Sequence, residues 1–203
     1  LHMKKITFLL LTIITMGLST VNAQSIFTLN YDMNLPVGSV GDYISSYQFR
    51  GMSGQYRYLL TDNLGVGFDL GYNAWYQKKE NTTYIIDDET AITGTFYNYN
   101  RNWTMHAAAD YYFGDPNKKV RPYAGLALGV NSIDLESYII DYVIYATNKW
   151  PFSVSPQVGL LFTQPGSRVS ANASVYFNYT TYDYDPIISD LSYVGFRVGI
   201  TWR

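Results

Sequence analysis

Apolar and polar residues alternate along most of this chain with a period of two, the spacing that sends successive side chains to opposite faces of an extended strand. In Phe27-Leu29-Tyr31-Met33-Leu35 every second position is apolar, with Thr28, Asn30, Asp32 and Asn34 between them. From Leu64 the set Val66, Phe68, Leu70, Tyr72, Ala74, Tyr76 opposes Gly65, Gly67, Asp69, Gly71 and Asn73. Trp103, Met105, Ala107, Ala109, Tyr111 and Phe113 oppose Asn102, Thr104, His106, Ala108 and Asp110. Val169 to Tyr179 and Val194 to Trp202 repeat the pattern against Ser, Asn, Gly, Arg197 and Thr201. Three further segments, about 50–60, 121–131 and 151–162, bring the expected strands to eight. After residue 23 no window carries a helical period.

Several of these runs are long. A soluble strand averages about five or six residues, whereas a tilted strand needs about 9–11 to cross a bilayer. The connections also alternate in length. Thr61-Asp62-Asn63, Gly114 to Lys119 and Gln164 to Ser167 read as tight turns, while Pro36 to Phe49, Lys79 to Asn100, Ser132 to Lys149 and Thr181 to Asp190 read as long loops. Short turns on one side and long loops on the other is the topology of a transmembrane barrel. Period two alone does not separate that case from a soluble sandwich or a lipocalin. The polar set decides it: Gly, Ser, Asn, Asp and Arg are too small and polar for a water-excluding core, so the apolar set faces lipid. The fold class expected is therefore all-β, an eight-stranded antiparallel up-and-down transmembrane barrel over residues 24–203.

Residues 1–23 read as an address. Lys4 and Lys5 precede a mostly apolar Ile6 to Leu18, and Val21-Asn22-Ala23 supplies a small-x-small end, the order of a secretory signal peptide. Leu1-His2 ahead of Met3 looks like a cloning or gene-start remnant. Cleavage after Ala23 removes two cations and no anion, taking the formal charge from -2 to about -4. No cysteine occurs, which excludes a lipoprotein anchor and a disulfide framework. Charged residues make up only 15% and tyrosines number 21, so the chain is neither disordered nor the basic partner of a nucleic acid.

The aromatics are expected in two girdles at headgroup level: Tyr72, Tyr76, Trp103, Phe152, Phe177 and Tyr179 at the outer rim, and Tyr58, Tyr111, Phe113, Phe162 and Trp202 at the periplasmic rim.

The stretches Arg121-Pro122-Tyr123-Ala124-Gly125-Leu126-Ala127-Leu128-Gly129, Ala109-Asp110-Tyr111-Tyr112-Phe113, and Arg50-Gly51 with Tyr56-Arg57-Tyr58 resemble the small eight-stranded outer-membrane β-barrel superfamily, in its Bacteroidota variants, with OmpW-like and OmpX-like proteins as distant relatives. The resemblance implies the outer membrane of a Gram-negative bacterium with both termini periplasmic, and is nearly silent on activity. Such barrels usually end on an aromatic residue, whereas here Arg203 follows Trp202.

Inward positions include Asp32, Arg57, Asp69, His106, Asp110, Arg121 and Arg197. Charges enclosed there are tolerable only if paired or wetted, so mutual pairing is expected. First and last strands are neighbours in a closed barrel, which sets Asp32 facing Arg197. The set reads either as a structural plug, the favoured reading, or as a selective polar path. His106 is the only histidine beyond the leader. It shares a face with Asp110 but has Ala108, not a serine, between them, so the sequence offers no nucleophile–histidine pair and catalysis is not expected. One histidine excludes a histidine-rich metal site, and neither a metal nor a cofactor is expected.

Acidic, aromatic loops (Asp87-Asp88-Glu89; Asp134, Glu136 and Asp141; Tyr182-Asp183-Tyr184-Asp185) lack calcium-loop spacing and read as a solvated negative surface. The Asn-x-Ser/Thr matches at Asn81, Asn102, Asn172 and Asn178 read as coincidence. The expected function is a non-enzymatic barrel with a structural or interaction role. Its partners would be outer-membrane lipids and lipopolysaccharide, together with an envelope or extracellular protein reached through the loops, and no nucleic acid. The alternatives are a narrow conduit for small hydrophobic molecules, which needs an inward apolar patch or a lateral opening near a glycine-rich strand such as Gly65-Gly67-Gly71, and, more remotely, a lipid A-modifying enzyme.

Overall fold

The alternation is realised as one closed antiparallel sheet. The computed structural model describes residues 25–85, 91–139, 142–164, 166–181 and 190–203. The leader at 1–23, Asp87-Asp88-Glu89, Asp141 and the Tyr182-Asp183-Tyr184-Asp185 run lie outside the described residues. The elements in chain order are β1 (Ser25–Val37), α1 (Ser39–Tyr43), β2 (Gln48–Leu59), β3 (Leu64–Ile85) and β4 (Ala91–Tyr112), followed by β5 (Val120–Ile139), β6 (Tyr142–Lys149), β7 (Phe152–Phe162), β8 (Val169–Thr180) and β9 (Leu191–Trp202). β6 and β7 both pair with β5 and follow one another along it, so together they form one wall, and the barrel has eight. Closure comes from β1 pairing with β9 through Phe27↔Trp202 to Val37↔Ser192. This leaves no open sheet edge around the barrel itself, the condition a membrane-spanning sheet must meet.

The two faces separate as the pattern predicts. Thr28, Asn30, Asp32 and Asn34 are buried inside, while Phe27, Leu29 and Tyr31 are exposed outside. The same division holds for Asp69 against Phe68 and Leu70, and for His106 against Met105.

Glycines on the inner face make room for large side chains across the ladder. Tyr176 pairs with Gly195 and Tyr123 with Gly159. A Cβ on either glycine would lie 2.1 Å or 2.5 Å from the facing tyrosine ring. Each ring therefore lies over a neighbour that has no side chain, which lets bulky groups point into a narrow bore.

The expected loops need three corrections. Lys79 to Asn100 is largely strand: Lys79 pairs with Phe96 and Ile85 with Ala91. Ser132 to Lys149 is likewise strand, paired from Ile133↔Lys149 to Ile139↔Tyr142. Phe96↔Ile139 joins the two hairpins, so β3, β4, β5 and β6 rise past the barrel as a four-stranded tongue. Pro36 to Phe49 contains α1, a single turn of helix no periodicity announces. The fourth expected loop, Thr181 to Asp190, is described only at its two ends.

At Gly65, Gly67 and Gly71, where a conduit could open laterally, β3 is paired with β2 on one side and β4 on the other. The ladder is interrupted instead between β7 and β8 at Ser155 and Pro156, where proline has no N–H to give.

Candidate functional site

Six of the eight walls send a polar side chain to one layer in the bore. Arg57 from β2 donates through Nη1 to Asp69 of β3 and through Nε to Asp110 of β4, both at 2.6 Å. Arg197 of β9 reaches Asp32 of β1 at 3.3 Å, in direct register. Gln157 of β7 joins the two groups: its Nε2 donates to Asp110 at 2.7 Å and its Oε1 accepts from Arg197 at 3.2 Å. Gln55 adds a second link, donating to both Asp69 and Gln157. Ser53 donates to Asp32 at 2.9 Å, and the Arg197 guanidinium lies 3.6 Å from the Tyr176 ring centre. Three carboxylates, two guanidiniums and two amides thus form a single network across the lumen, each carboxylate ligated by a donor, as burial requires.

Arg121 stands outside it. It lies near the end of the bore that holds the chain termini, donating to the Asp62 carbonyl and sitting over the Tyr112 ring at 5.2 Å. No carboxylate pairs with it among the described residues. The expected balance of three against three therefore becomes two cations for three anions.

Both mouths of the bore are closed by apolar groups. At the loop end α1 inserts Val40 and Tyr43, with Ile44 just after it, against Trp75, Ile133, Leu135, Tyr176, Leu191 and Tyr193. Trp75 is only 1% exposed and meets Tyr193 edge-on at 5.0 Å. α1 is tied down by polar contacts as well. Tyr43 donates to the Glu136 carbonyl, Asn98 donates to the Tyr43 carbonyl, and Lys79 donates to that of Asp42. Asp190 accepts from the Ser39 hydroxyl at 2.8 Å and from its amide at 3.3 Å. At the terminus end Ile26, Tyr112, Tyr123 and Leu161 form a second cluster, with Leu59 packed on it. Trp75, Tyr176 and Tyr193 lie at inward register positions, but alternation does not say how their bulk is accommodated: Tyr176 lies over Gly195, whereas Trp75 faces Asn100 and Tyr193 lies between Pro36 and Asn178.

His106 does meet a nucleophile, contrary to expectation. Its Nε2 lies 2.6 Å from the Ser153 hydroxyl, which also donates to Asn131 Oδ1. Ser153 comes from β7, two walls away, so no spacing along β4 could reveal it. The pair is enclosed, Ser153 completely and His106 to within 5%. No carboxylate is bonded to the imidazole among the described residues, so the orienting acid of a triad is missing. Asn131 continues the contact to Asn178 and Thr180, which makes the histidine one member of an amide-hydroxyl web.

On the outer wall Trp103, Phe152, Phe177 and Tyr179 are exposed toward the loop end, with the Tyr72 ring tilted against that of Trp103 at 4.6 Å and Tyr76 lying 5.1 Å from Tyr99. Tyr111, Phe113, Phe162 and Trp202 are exposed at the other end, where Tyr58 is half-buried. Among the described residues of the tongue, Arg101 lies 3.4 Å from Asp134 and 3.3 Å from Glu136. No cluster of metal-ligating side chains occurs among the described residues.

No family model matches the chain, and no curated protein matches it in sequence. Solved structures do. Neisserial surface protein A superposes with a TM-score of 0.58 at 17% identity, over 90% of this chain and 99% of that one. Ail of Yersinia pestis, solved with the heparin analogue sucrose octasulfate, gives 0.54 at 15% over 90% and 99%. The outer membrane protein OprG of Pseudomonas aeruginosa gives 0.52 at 9% over 89% and 95%. At such identities the likeness is one of fold, that of the small eight-stranded outer-membrane barrels.

Proposed function

We propose that this chain is an integral outer-membrane protein of a Gram-negative bacterium, with its termini in the periplasm and its tongue outside. It acts without catalysis, by presenting its outer rim to partners and its wall to lipid. The observation that carries this reading is the triple obstruction of the bore: an apolar stopper at each mouth and a cross-braced ionic layer between them. A bore so filled offers no ion a hydrated path, which leaves the outside of the molecule to do the work. The enclosed Ser153–His106 pair, with no orienting acid bonded to it, supports a bracing role over hydrolysis.

Planar-bilayer recording of the purified protein tests the proposal. No resolved unitary current is expected, and steps that vanish on a bulky change at a luminal residue would replace the proposal with a narrow conduit. Mass spectrometry of lipid A from cells with and without the gene should show the same acylation pattern. A difference abolished by Ser153→Ala would establish the enzyme instead.

A further inference from the structure

A sizeable depression lies on the outside of the wall. It has a volume of about 560 Å3 and is lined by Met33, Leu35, Tyr47, Phe49, Val194 and Phe196 among others. That is within the range of roughly 300–1,000 Å3 typical of sites for small ligands. Its floor belongs to the apolar outer faces of β1 and β9, and Leu35 pairs with Val194, itself the register partner of the girdle residue Phe177. The groove is thus continuous with the apolar band and sits at the level of the loop-end girdle.

A β-bulge shapes it. Asp32 pairs with Gly51 but Asn34 pairs with Gln48, so Met33 alone faces the two residues Phe49 and Arg50. Bulges re-aim side chains, and here both members turn outward: Phe49 is 57% exposed and Arg50 is exposed beside it. The freed Phe49 carbonyl is satisfied by the Tyr31 hydroxyl. Arg50 makes no ion pair or hydrogen bond among the described residues, unlike Arg57, Arg101, Arg121 and Arg197. An unpaired guanidinium on a wall that faces hydrocarbon is least costly at the interface, where it meets headgroups, and its planar fork matches phosphate oxygens.

We propose that this groove and Arg50 form a binding site for one phosphate-bearing membrane lipid of the loop-end leaflet, an acyl chain lying along Leu35, Phe49 and Val194 and the headgroup phosphate on Arg50. The site rests on the membrane reading above and deepens it by naming the lipid class and the residues. Apolar contact alone does not select a lipid, because surrounding chains are equally apolar. Groove shape therefore holds the chain and the cation selects the head.

The test is native mass spectrometry of protein released from nanodiscs of mixed phosphatidylglycerol and phosphatidylcholine. The wild type should retain one phosphatidylglycerol in preference to phosphatidylcholine. Arg50→Ala should lower that preference roughly tenfold, the worth of a charge-assisted contact, and Arg50→Lys should restore part of it. Val194→Trp, which fills the groove, should abolish retention of both lipids, whereas Leu128→Trp on β5, the wall opposite β1, should change neither. Equal preference in wild type and Arg50→Ala, or unaltered retention in Val194→Trp, overturns the site while leaving the barrel's membrane residence intact. A protein that stays soluble without detergent and never enters nanodiscs overturns both.

Discussion

Arg197 is held between a carboxylate it faces in register and an aromatic ring it lies against. Removing it leaves Asp32 buried with only the Ser53 hydroxyl as donor, and breaking a buried pair by deleting one partner typically costs about 3–5 kcal/mol. Arg197→Ala should therefore lose heat-resistant folding, read as an earlier loss of the compact band in unheated gels. Unchanged resistance would deny the layer any role in holding the lumen together. Glycines on the two faces of the sheet, Gly195 inside and Gly54 outside, allow a sharper comparison. Gly195→Ala drives a methyl to 2.1 Å from the Tyr176 ring, which is buried and has nowhere to retreat, whereas a Cβ on Gly54 meets nothing closer than 3.9 Å. The first change should cost about 1–3 kcal/mol by overpacking and the second should be close to neutral, measured by urea unfolding in detergent micelles.

At the scale of elements, α1 is too short to be stable alone and depends on what holds it. Gly38 enters it at a φ of 67°, with Asp190 pressed close. Burial works against the Asp190 charge, but hydrogen bonds from Ser192 and Ser39 outweigh it and hold the carboxyl below the usual carboxylate range. A depressed folded value means that this contribution is complete above the unfolded value of about 3.9 and fades as the pH falls through the folded one. Amide exchange at Gly41 and Ile44, whose N–H groups bond to Gly38 and Val40, should be slow at neutral pH and lose protection on acidification below that range. Asp190→Asn should be unprotected already at neutral pH, and equal protection in both proteins would refute the latch. The tongue should be separable from the barrel. Lys79 and Phe96 face each other, so joining them through a two-residue Asn-Gly turn should leave heat resistance unchanged. A collapse of the fold would show that the hairpin braces the barrel and does not merely extend it.

Across the whole molecule the three obstructions lie in series, so removing one does not open the bore. Replacing residues 39–45 with a Gly-Ser linker should leave the protein non-conducting, because the ionic layer and the lower cluster remain. Adding Arg57→Ser and Tyr112→Ala should be needed before any current appears. Currents from the linker variant alone would show that α1 is a gate. Much of this architecture is legible along the chain, because which side of a strand a residue faces follows from counting by two. That count separates Asp69 from Leu70 and His106 from Met105, and closure of a ring makes first and last strands neighbours, which is why Asp32 meets Arg197. The tongue falls in the stretches between strand runs that read as loops, although with tyrosine counted as apolar, as at Tyr72 and Tyr76, Tyr97-Asn98-Tyr99-Asn100 alternates as cleanly as any strand.

What alternation cannot supply is height along the bore and identity across it. Height depends on the accumulated stagger between neighbouring strands, and that stagger places Arg121 beside Asp62 and Tyr112 instead of among the carboxylates. Contacts across the lumen, Ser153 with His106 and Gln157 with Asp110, join walls that are neither consecutive nor paired. The sequence by itself determined the strands, their two faces and their closure, because each follows from local periodicity and chain order. Only the tertiary structure decided that the bore is stoppered, where its charges meet and where the wall is grooved, because those depend on how eight walls are stacked against one another.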